Sequence, residues 1–424
     1  MNGKARVLGG ENPKEDIYWF KTEKAQDHRP LASEIEVDTV VIGGGFTGVS
    51  AAYFSQTIGA ETALLEKSKV GSGASGRNGG HLLFGSKYKF SVLAERFGSE
   101  FAGDVFRMSG DAFELIEGLI REYSIDCSLD KCGNLWAAHK PADLEVLKLE
   151  QAFLAEEFGY ETRVLEKAEM DQELRSEAYH GVHVDPHGAS FHPLNYVLGL
   201  ANAFEEHGGM IFEDSAVVGI EKHGARVVVR TMNGQITATN VIIATNAYTP
   251  AIFPDLASGI VAVRGNIIVT EALAAGTLEK LIPGGRVTSD TKKVLNYFRP
   301  LPGNRMLFGG RGDVGELYSN MEAIFPDLSG TRADFSWAGS VAITRDAFPH
   351  IGRTSSGFLF AAGYNGRGAA LSTLLGKLVA QKAHDVPSQE YALESLAISK
   401  FPFHQFREFG VKAAAAYFRF KDRL

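Results

Sequence analysis

Val37-Asp38-Thr39-Val40-Val41-Ile42-Gly43-Gly44-Gly45-Phe46-Thr47-Gly48, followed by the small and apolar stretch Val49 to Phe54, decides the fold. A β-branched run that meets closely spaced glycines and resumes as a small-residue segment reads as strand, turn, helix. Gly43 permits the tight turn and Gly45 lets a pyrophosphate approach the backbone. Gly48 lets the helix lie close to the sheet while its N-terminal N–H groups face the anion. A second strand, Glu61 to Leu65, ends at Glu66, twenty-three residues after Gly43. A carboxylate there accepts hydrogen bonds from both ribose hydroxyls of an adenosine and disfavours a 2′-phosphate.

The next segment, Gly71 to His81, separates FAD from NAD. It is a dense run of small residues with one cation, Arg77, and such a loop can wrap a phosphate chain and pass beneath a planar ring without obstruction. An NAD site has no need of it. A second glycine-rich turn follows the apolar strand Phe358 to Ala362, as Gly363-Tyr364-Asn365-Gly366-Arg367-Gly368, and opens a helix from Ala369 to His384. Its backbone N–H groups can face an electron-rich atom such as a flavin carbonyl. The two turns stand 320 residues apart, so the cofactor domain is expected to be discontinuous.

Between them, apolar spacing predicts helices from Tyr88 to Tyr123, over Pro141 to Glu157, over Lys167 to Leu174 and over Pro193 to Glu206. Short strands are expected at Asn134 to Ala138, Gly181 to Asp185, Ile211 to Glu213, Ala216 to Glu221 and Val241 to Ala244. Arg226 to Thr231 and Ile236 to Ala238 read as a hairpin with a type I′ turn at Asn233-Gly234. Val261 to Thr270, Val294 to Pro300 and Arg305 to Gly309 predict a second sheet, whose Arg264, Tyr297, Arg299 and Arg311 are candidates to face a substrate. The expected fold is α/β, a discontinuous Rossmann-like FAD-binding domain (1–85, 178–250 and 330–424) plus a mixed-sheet substrate domain with a helical insertion (86–177 and 251–329).

Composition excludes other classes. With 45% hydrophobic and 22% charged residues the 424-residue chain is neither collagen-like nor disordered, and a net charge of −8 argues against a general nucleic-acid binder. Cys127 and Cys132 form neither a disulfide framework nor a redox pair and read as packing residues. His183, His187 and His192 span a turn containing Pro186 and Gly188 rather than one coordinating face, so no metal is expected. The start of the chain lacks a secretory pattern and no stretch is long enough to span a membrane, which makes the cytoplasm the expected location.

These motifs resemble the flavin-dependent amine and amino-acid oxidases that include D-amino-acid, glycine and sarcosine oxidases, and within them the gamma-glutamylputrescine oxidoreductase group. The resemblance covers nearly the whole chain, from Tyr18-Trp19 through Gly43 to Gly48, Gly73 to Gly80, His192 to Asn195, Ala244 to Tyr248, Tyr297 to Arg299, Leu307 to Gly310, Trp337 to Gly339 and Gly363 to Gly368. It implies that FAD is held by Gly43, Gly45, Gly48, Glu66, Lys67, Ser75, Arg77, Asn78, Gly79, Gly80, Val217, Ala244, Thr245, Gly363, Asn365, Gly366 and Gly368. His81, Tyr297, Trp337 and Tyr364 are the expected catalytic or ring-facing residues. The implied reaction passes a hydride equivalent from a neutral amine to the flavin. The imine is hydrolysed to a carbonyl product, and oxygen returns the flavin with release of peroxide. Gamma-glutamylputrescine is the named substrate, with a secondary amino acid such as pipecolate, or a dehydrogenase using another acceptor, as alternatives.

Two departures shape that expectation. Relatives that grip an α-carboxylate carry an arginine shortly after Trp-x-Gly, whereas here Trp337-Ala338-Gly339 runs into Ser340-Val341-Ala342, and Arg345 is the nearest substitute. No cysteine lies near the segment to which sarcosine-oxidase relatives attach flavin, so FAD is expected to be non-covalent. The aromatic and basic tail, Ser399 to Leu424, either folds back on the protein or docks at a membrane or partner surface, which is the non-enzymatic alternative. Oligomeric state is left open.

Overall fold

The computed structural model describes residues 16–22 and 27–423. The first fifteen residues, on which the reading of a missing leader rests, lie outside this range. The central strand is Glu34–Ile42, whose Val40, Val41 and Ile42 are buried on both faces, as a parallel strand covered by helices requires. It pairs in parallel with Thr62–Leu65 on one side and Gln235–Ile243 on the other. The sheet continues to Met210–Phe212 at one end and to Leu359–Ala362 and His350–Arg353 at the other. Arg226–Arg230 and Gly219–His223 branch from Gln235–Ile243 as an antiparallel pair. Helices Phe46–Thr57, Pro193–Glu206 and Gly368–Ala383 pack together over this sheet.

A second eight-stranded sheet runs in the order Ala333–Ile343, Val261–Thr270, Arg305–Gly310, Asn296–Leu301, Val287–Asp290, Asn134–Ala137, Gly181–Asp185, Arg163–Glu166. The boundaries expected from sequence assign Gly181–Asp185 and Ala333–Ile343 to the cofactor unit, yet both strands pair here, so the chain crosses between the sheets more often than the glycine motifs suggest.

Several local expectations need correction. Lys167 to Leu174 forms only a 3-10 turn, Met170–Gln172, instead of a helix. The strands expected at Ile236 to Ala238 and Val241 to Ala244 are one strand, because Asn240 pairs in register with Thr39 and the ladder is unbroken there. The turn before it is not type I′, since neither Asn233 nor Gly234 takes a positive φ. A Thr231 hydroxyl closes it at 3.1 Å from the Gly234 N–H, and a Cβ on Gly234 would run 2.5 Å from the Ser33 carbonyl oxygen.

The helical block comprises Phe90–Phe97 and Ser99–Glu122, divided at Gly98. The longer helix buries Ala102, Val105, Met108, Ala112, Ile116 and Leu119 at helical spacing. Gly110 and Gly118 sit inside it with open space where a Cβ would be. Gly110→Ala and Gly118→Ala are each expected to raise stability by roughly 0.5 to 1 kcal/mol, read as an upward shift of the urea midpoint at unchanged slope.

Candidate active site

A cavity of about 1330 Å³ opens between the two sheets. That exceeds the roughly 300–1,000 Å³ of a single small-ligand site and suits a dinucleotide together with a second small molecule. Gly43, Gly45, Glu66, Lys67, Ser75, Arg77, Asn78, Gly79, Val217, Ala244, Thr245, Asn365, Gly366 and Gly368 line it, as do His81, Tyr297 and Tyr364. Gly48, Gly80, Gly363 and Trp337 are not among the lining residues.

Each of those four has a supporting position. Gly48 faces the Gly43 carbonyl where the helix lies on the turn. Gly80 (φ +68°) is pressed between the Phe191 carbonyl and the Arg299 guanidinium. Gly363 (φ +84°) donates its N–H to the Asn246 side chain at 2.9 Å. Trp337, expected to line the pocket, instead donates its indole N–H to the Arg77 carbonyl at 2.9 Å. The Trp19 indole does the same for the Asn78 carbonyl, also at 2.9 Å. Two buried indoles thus hold consecutive carbonyls of the glycine loop, which needs such partners because its small residues offer no packing of their own.

Within the loop, Asn78 donates to the Ser75 carbonyl (2.8 Å) and accepts from the Gly80 N–H (2.8 Å). Arg77 donates to the Ser72 carbonyl (2.7 Å) and the Ala338 carbonyl (3.1 Å). Ser75 Oγ accepts from the Phe46 N–H at 2.9 Å, tying the loop to the first N–H of the helix. The Glu66 carboxylate accepts from the Gly44 N–H (2.7 Å) and the Ser68 N–H (2.9 Å), while burial, opposed by those bonds, raises its pKa. Lys67 lies over the Tyr248 ring. In the second glycine turn the Tyr364 hydroxyl meets Thr47 Oγ1 at 2.7 Å, and buried Asn365 (φ +53°) accepts from the Thr344 N–H at 3.0 Å. The two turns are therefore knotted to each other and to the second sheet.

At the other wall, the His81 ring meets Tyr297 edge-on at 5.5 Å, and His81 Nε2 is buried without a partner. Burial first, then the Arg299 charge, holds the His81 pKa well below its ordinary value, and burial keeps the Tyr297 hydroxyl protonated. Of the second-sheet candidates, Arg264, Tyr297 and Arg311 line the cavity, whereas Arg299 lies behind the loop and donates to the Gly79 and Phe191 carbonyls, both at 2.9 Å. Arg345 turns away and donates to the Lys400 carbonyl at 3.4 Å. Residues missed in the sequence include Thr47, Lys87, Lys89 and Trp136, which line the cavity together with Asn246 at the strand end expected to approach the dinucleotide and with His183, considered only as a metal ligand. The lysines flank a tyrosine ahead of an apolar helix, a pattern that any solvated face shares.

The three histidines that invited a metal have separate environments. His192 caps Pro193–Glu206 through Nδ1 and meets Thr22 Oγ1 at 2.9 Å through Nε2. His187 packs on Tyr160, and His183 is buried in the sheet with both ring nitrogens unpartnered. Cys127 and Cys132 are free thiols, and burial pushes Cys127 up to about 12. The tail forms the helix Arg407–Arg423, anchored where the Asp422 carboxylate accepts the Lys293 (2.8 Å) and Val294 (2.9 Å) N–H groups. Its Phe418 joins the cavity wall, while Phe406, Phe409 and Phe420 stay exposed. No helix among the described residues is long and apolar enough to cross a membrane.

Burial depresses His183 and His192 to about 4 and holds His81 well below its ordinary value, whereas Asp290 is raised by burial to about 6. Unfolding releases each histidine to about 6.5, so the unfolded chain binds more protons between those values and stability falls as pH drops through this window. Asp290 acts oppositely between its ordinary range and about 6. Burial lowers His139 and His384 as well and raises Glu66, so five histidines outweigh two carboxyls and urea unfolding is expected to lose roughly 1.4 kcal/mol per pH unit for each net proton, from neutrality down to about pH 5.

A family model described as FAD dependent oxidoreductase matches residues 38–382. The chain is 33% identical over 406 residues to gamma-glutamylputrescine oxidoreductase of Escherichia coli, covering 93% of this chain and 95% of that protein. It is 32% identical over 419 residues to the probable oxidoreductase OrdL of Haemophilus influenzae, covering 96% and 97%. The solved structure of glycine oxidase from Geobacillus kaustophilus superposes with a TM-score of 0.73 at 23% identity, covering 87% of this chain and 99% of that one, and shares its fold.

Proposed function

The chain belongs to the FAD-dependent oxidoreductase family, and from that premise we propose that it oxidises an amine at the carbon bearing nitrogen, with gamma-glutamylputrescine as the named substrate. The observation that carries this reading is the cavity, which joins both glycine turns to a wall of His81, Tyr297 and the second sheet. When bound, FAD supplies the electron acceptor, and oxygen is the proposed final oxidant with peroxide and an aldehyde as products. Gly43 to Gly48, Glu66 and the Ser72 to Gly80 loop hold FAD without a covalent bond, as the chain's two cysteines lie outside the cavity lining.

The protein's own part is to position the amine and keep it dry. His81 stays neutral at physiological pH, so its unpartnered Nε2 offers a hydrogen-bonding position without repelling or protonating the amine. Tyr297 closes the same wall and fixes the imidazole edge-on. An α-amino acid held by a carboxylate clamp next to Trp337 is disfavoured, because Ser340 to Ala342 line the cavity there and Arg345 points elsewhere.

Anaerobic flavin bleaching tests the reading against gamma-glutamylputrescine, putrescine, pipecolate, proline, sarcosine and glycine. Fast bleaching by the first with little by putrescine is expected. Bleaching by pipecolate alone would move the substrate assignment, and none by any amine would overturn the amine reading. His81→Asn is expected to slow bleaching by about 10- to 100-fold while flavin content stays at the wild-type level. Unchanged bleaching would remove His81 from the reaction.

A further inference from the structure

Where the second sheet meets the helical block, Lys87, Lys89, Trp136, His183, Arg311 and Arg367 line one part of the cavity. They come from five places in the chain. Lys87 and Lys89 precede helix Phe90–Phe97, Trp136 and His183 are register partners on neighbouring strands, Arg311 follows Arg305–Gly310, and Arg367 caps Gly368–Ala383. The Lys89 and Arg367 cations both lie over the Trp136 ring, at 5.8 and 5.4 Å.

This group carries four cations and no carboxylate partner. Nearby acids are occupied by neutral donors: Asp185 accepts from the Tyr160 hydroxyl and the His187 N–H, both at 2.9 Å. Glu150 accepts from the Phe90 N–H at 2.7 Å and the Ser91 hydroxyl at 2.5 Å. Among the described residues no ion pair holds Lys87, Lys89, Arg311 or Arg367, and Arg367 Nη1 is buried with no hydrogen-bond partner. His183, only 4% exposed, leaves both ring nitrogens unpartnered beside them. Burial, then the charges of Arg311, Arg367 and Lys293, lowers Lys87 to about 8, and burial lowers Arg367 to about 10, so both remain largely cationic at neutral pH. Lys87 is exposed and Lys89, Arg311 and Arg367 are half-buried along the cavity, with Glu150 and Asp143 acting on Lys89 and Asp185 on Arg367 only from beyond ion-pair distance. Cations gathered in one concave wall without an ion-pair partner repel one another and are satisfied by an anionic ligand.

We propose that this pocket binds a carboxylate on the non-reacting end of the substrate, with Arg311 and Arg367 as forked donors and Lys87 as the third cation. It selects amines that carry an acid group and repels simple diamines, which bring further positive charge. The role of the bound molecule as substrate rests on the amine-oxidising reading; the binding itself does not.

Calorimetric titration of the FAD-loaded enzyme with glutarate and with its neutral diamide, glutaramide, tests the pocket without turnover. Glutarate is expected to bind at least about tenfold more tightly than glutaramide. Arg311→Gln and Lys87→Met are each expected to weaken glutarate by roughly tenfold while leaving glutaramide unchanged. Lys87→Met keeps an unbranched stem at an exposed position and removes only the charge, so it remains informative if Arg311→Gln folds poorly. Equal affinity for the two probes, or glutarate binding unaltered in the Lys87→Met protein, would overturn the pocket. Intact glutarate selectivity with no amine able to bleach the flavin would instead overturn the oxidase reading and leave the pocket standing.

Discussion

A Gly48→Val protein is expected to lose its flavin and most of its soluble yield, because the added side chain has no place to go. Gly48 lies in the first turn of Phe46–Thr57, where a Cβ would overlap the Gly43 carbonyl oxygen and press on Ala244 Cβ at 3.2 Å. Gly43 cannot retreat. It holds a φ of +111°, and its own Cβ position is 2.9 Å from the Ala244 carbonyl oxygen, so strand, turn and neighbouring strand are already in backbone contact. Relief requires lifting the helix from the sheet, which destroys the turn that receives the cofactor. The cost is expected to exceed about 4 kcal/mol, a large part of a typical domain's stability. Gly59→Ala is the informative comparison. Gly59 also has a positive φ, +91°, but nothing stands within 4 Å of its Cβ position, so only local strain of about 1–2 kcal/mol is expected and flavin should be retained. The ratio of visible flavin absorbance to aromatic absorbance in purified protein reads both variants. A Gly48→Val protein with full flavin content would show that the helix does not need this approach.

The same contrast explains what sequence reveals and what it hides. Gly43, Gly45, Gly48 and Glu66 are legible because a backbone approach admits few residue types and the spacing between them is set by one strand, one turn and one helix. The second glycine turn is legible for the same reason. Side chains that meet across the two sheets leave no such local signature. Trp337 looks like a pocket residue, yet its indole is spent on the Arg77 carbonyl, a partner 260 residues away in sequence. Gly181–Asp185 reads as a strand, but nothing in its composition says which sheet it joins, and Ala333–Ile343 is not predicted as a strand at all; both are placed by pairing, with Asn134–Ala137 and with Val261–Thr270. Asn233-Gly234 carries the strongest hairpin signal in the chain, and contact with Leu31 and Ser33 overrides it. Lys87, Lys89 and His183 become a group only through the fold, because their spacing along the chain matches no binding motif.

Arg299 shows how far a residue's role can depart from its sequence context, and replacing it with methionine is expected to produce the second large effect. As a polar residue on a strand beside Tyr297 it reads as a substrate contact. In the structure its Nε donates to the Gly79 carbonyl and its Nη2 to the Phe191 carbonyl, each at 2.9 Å, with the guanidinium 5.3 Å from the Trp19 ring. Burial lowers its pKa to about 10, which still leaves it charged at neutral pH. Arg299→Met therefore strands two buried carbonyls, at about 1–3 kcal/mol each, and forfeits a desolvated cation–π contact worth up to about 2 kcal/mol. The total of roughly 2–8 kcal/mol falls on the loop from Arg77 to Gly80, so flavin loss should accompany the lower unfolding midpoint. Arg299→Lys is not expected to rescue either property, since one ammonium on a flexible stem cannot reproduce a planar fork aimed at two carbonyls. His81 adds a readout that separates the roles. Removing Arg299 takes away the lesser cause of its depressed pKa and leaves burial in place, so the residual flavin-loaded protein should gain no new titration near pH 6.5. A substrate clamp would behave differently, with flavin content and unfolding midpoint preserved and only the substrate concentration needed for bleaching increased. That pattern would return Arg299 to the substrate wall; joint loss of flavin and stability, unrescued by lysine, identifies it as the bolt behind the glycine loop.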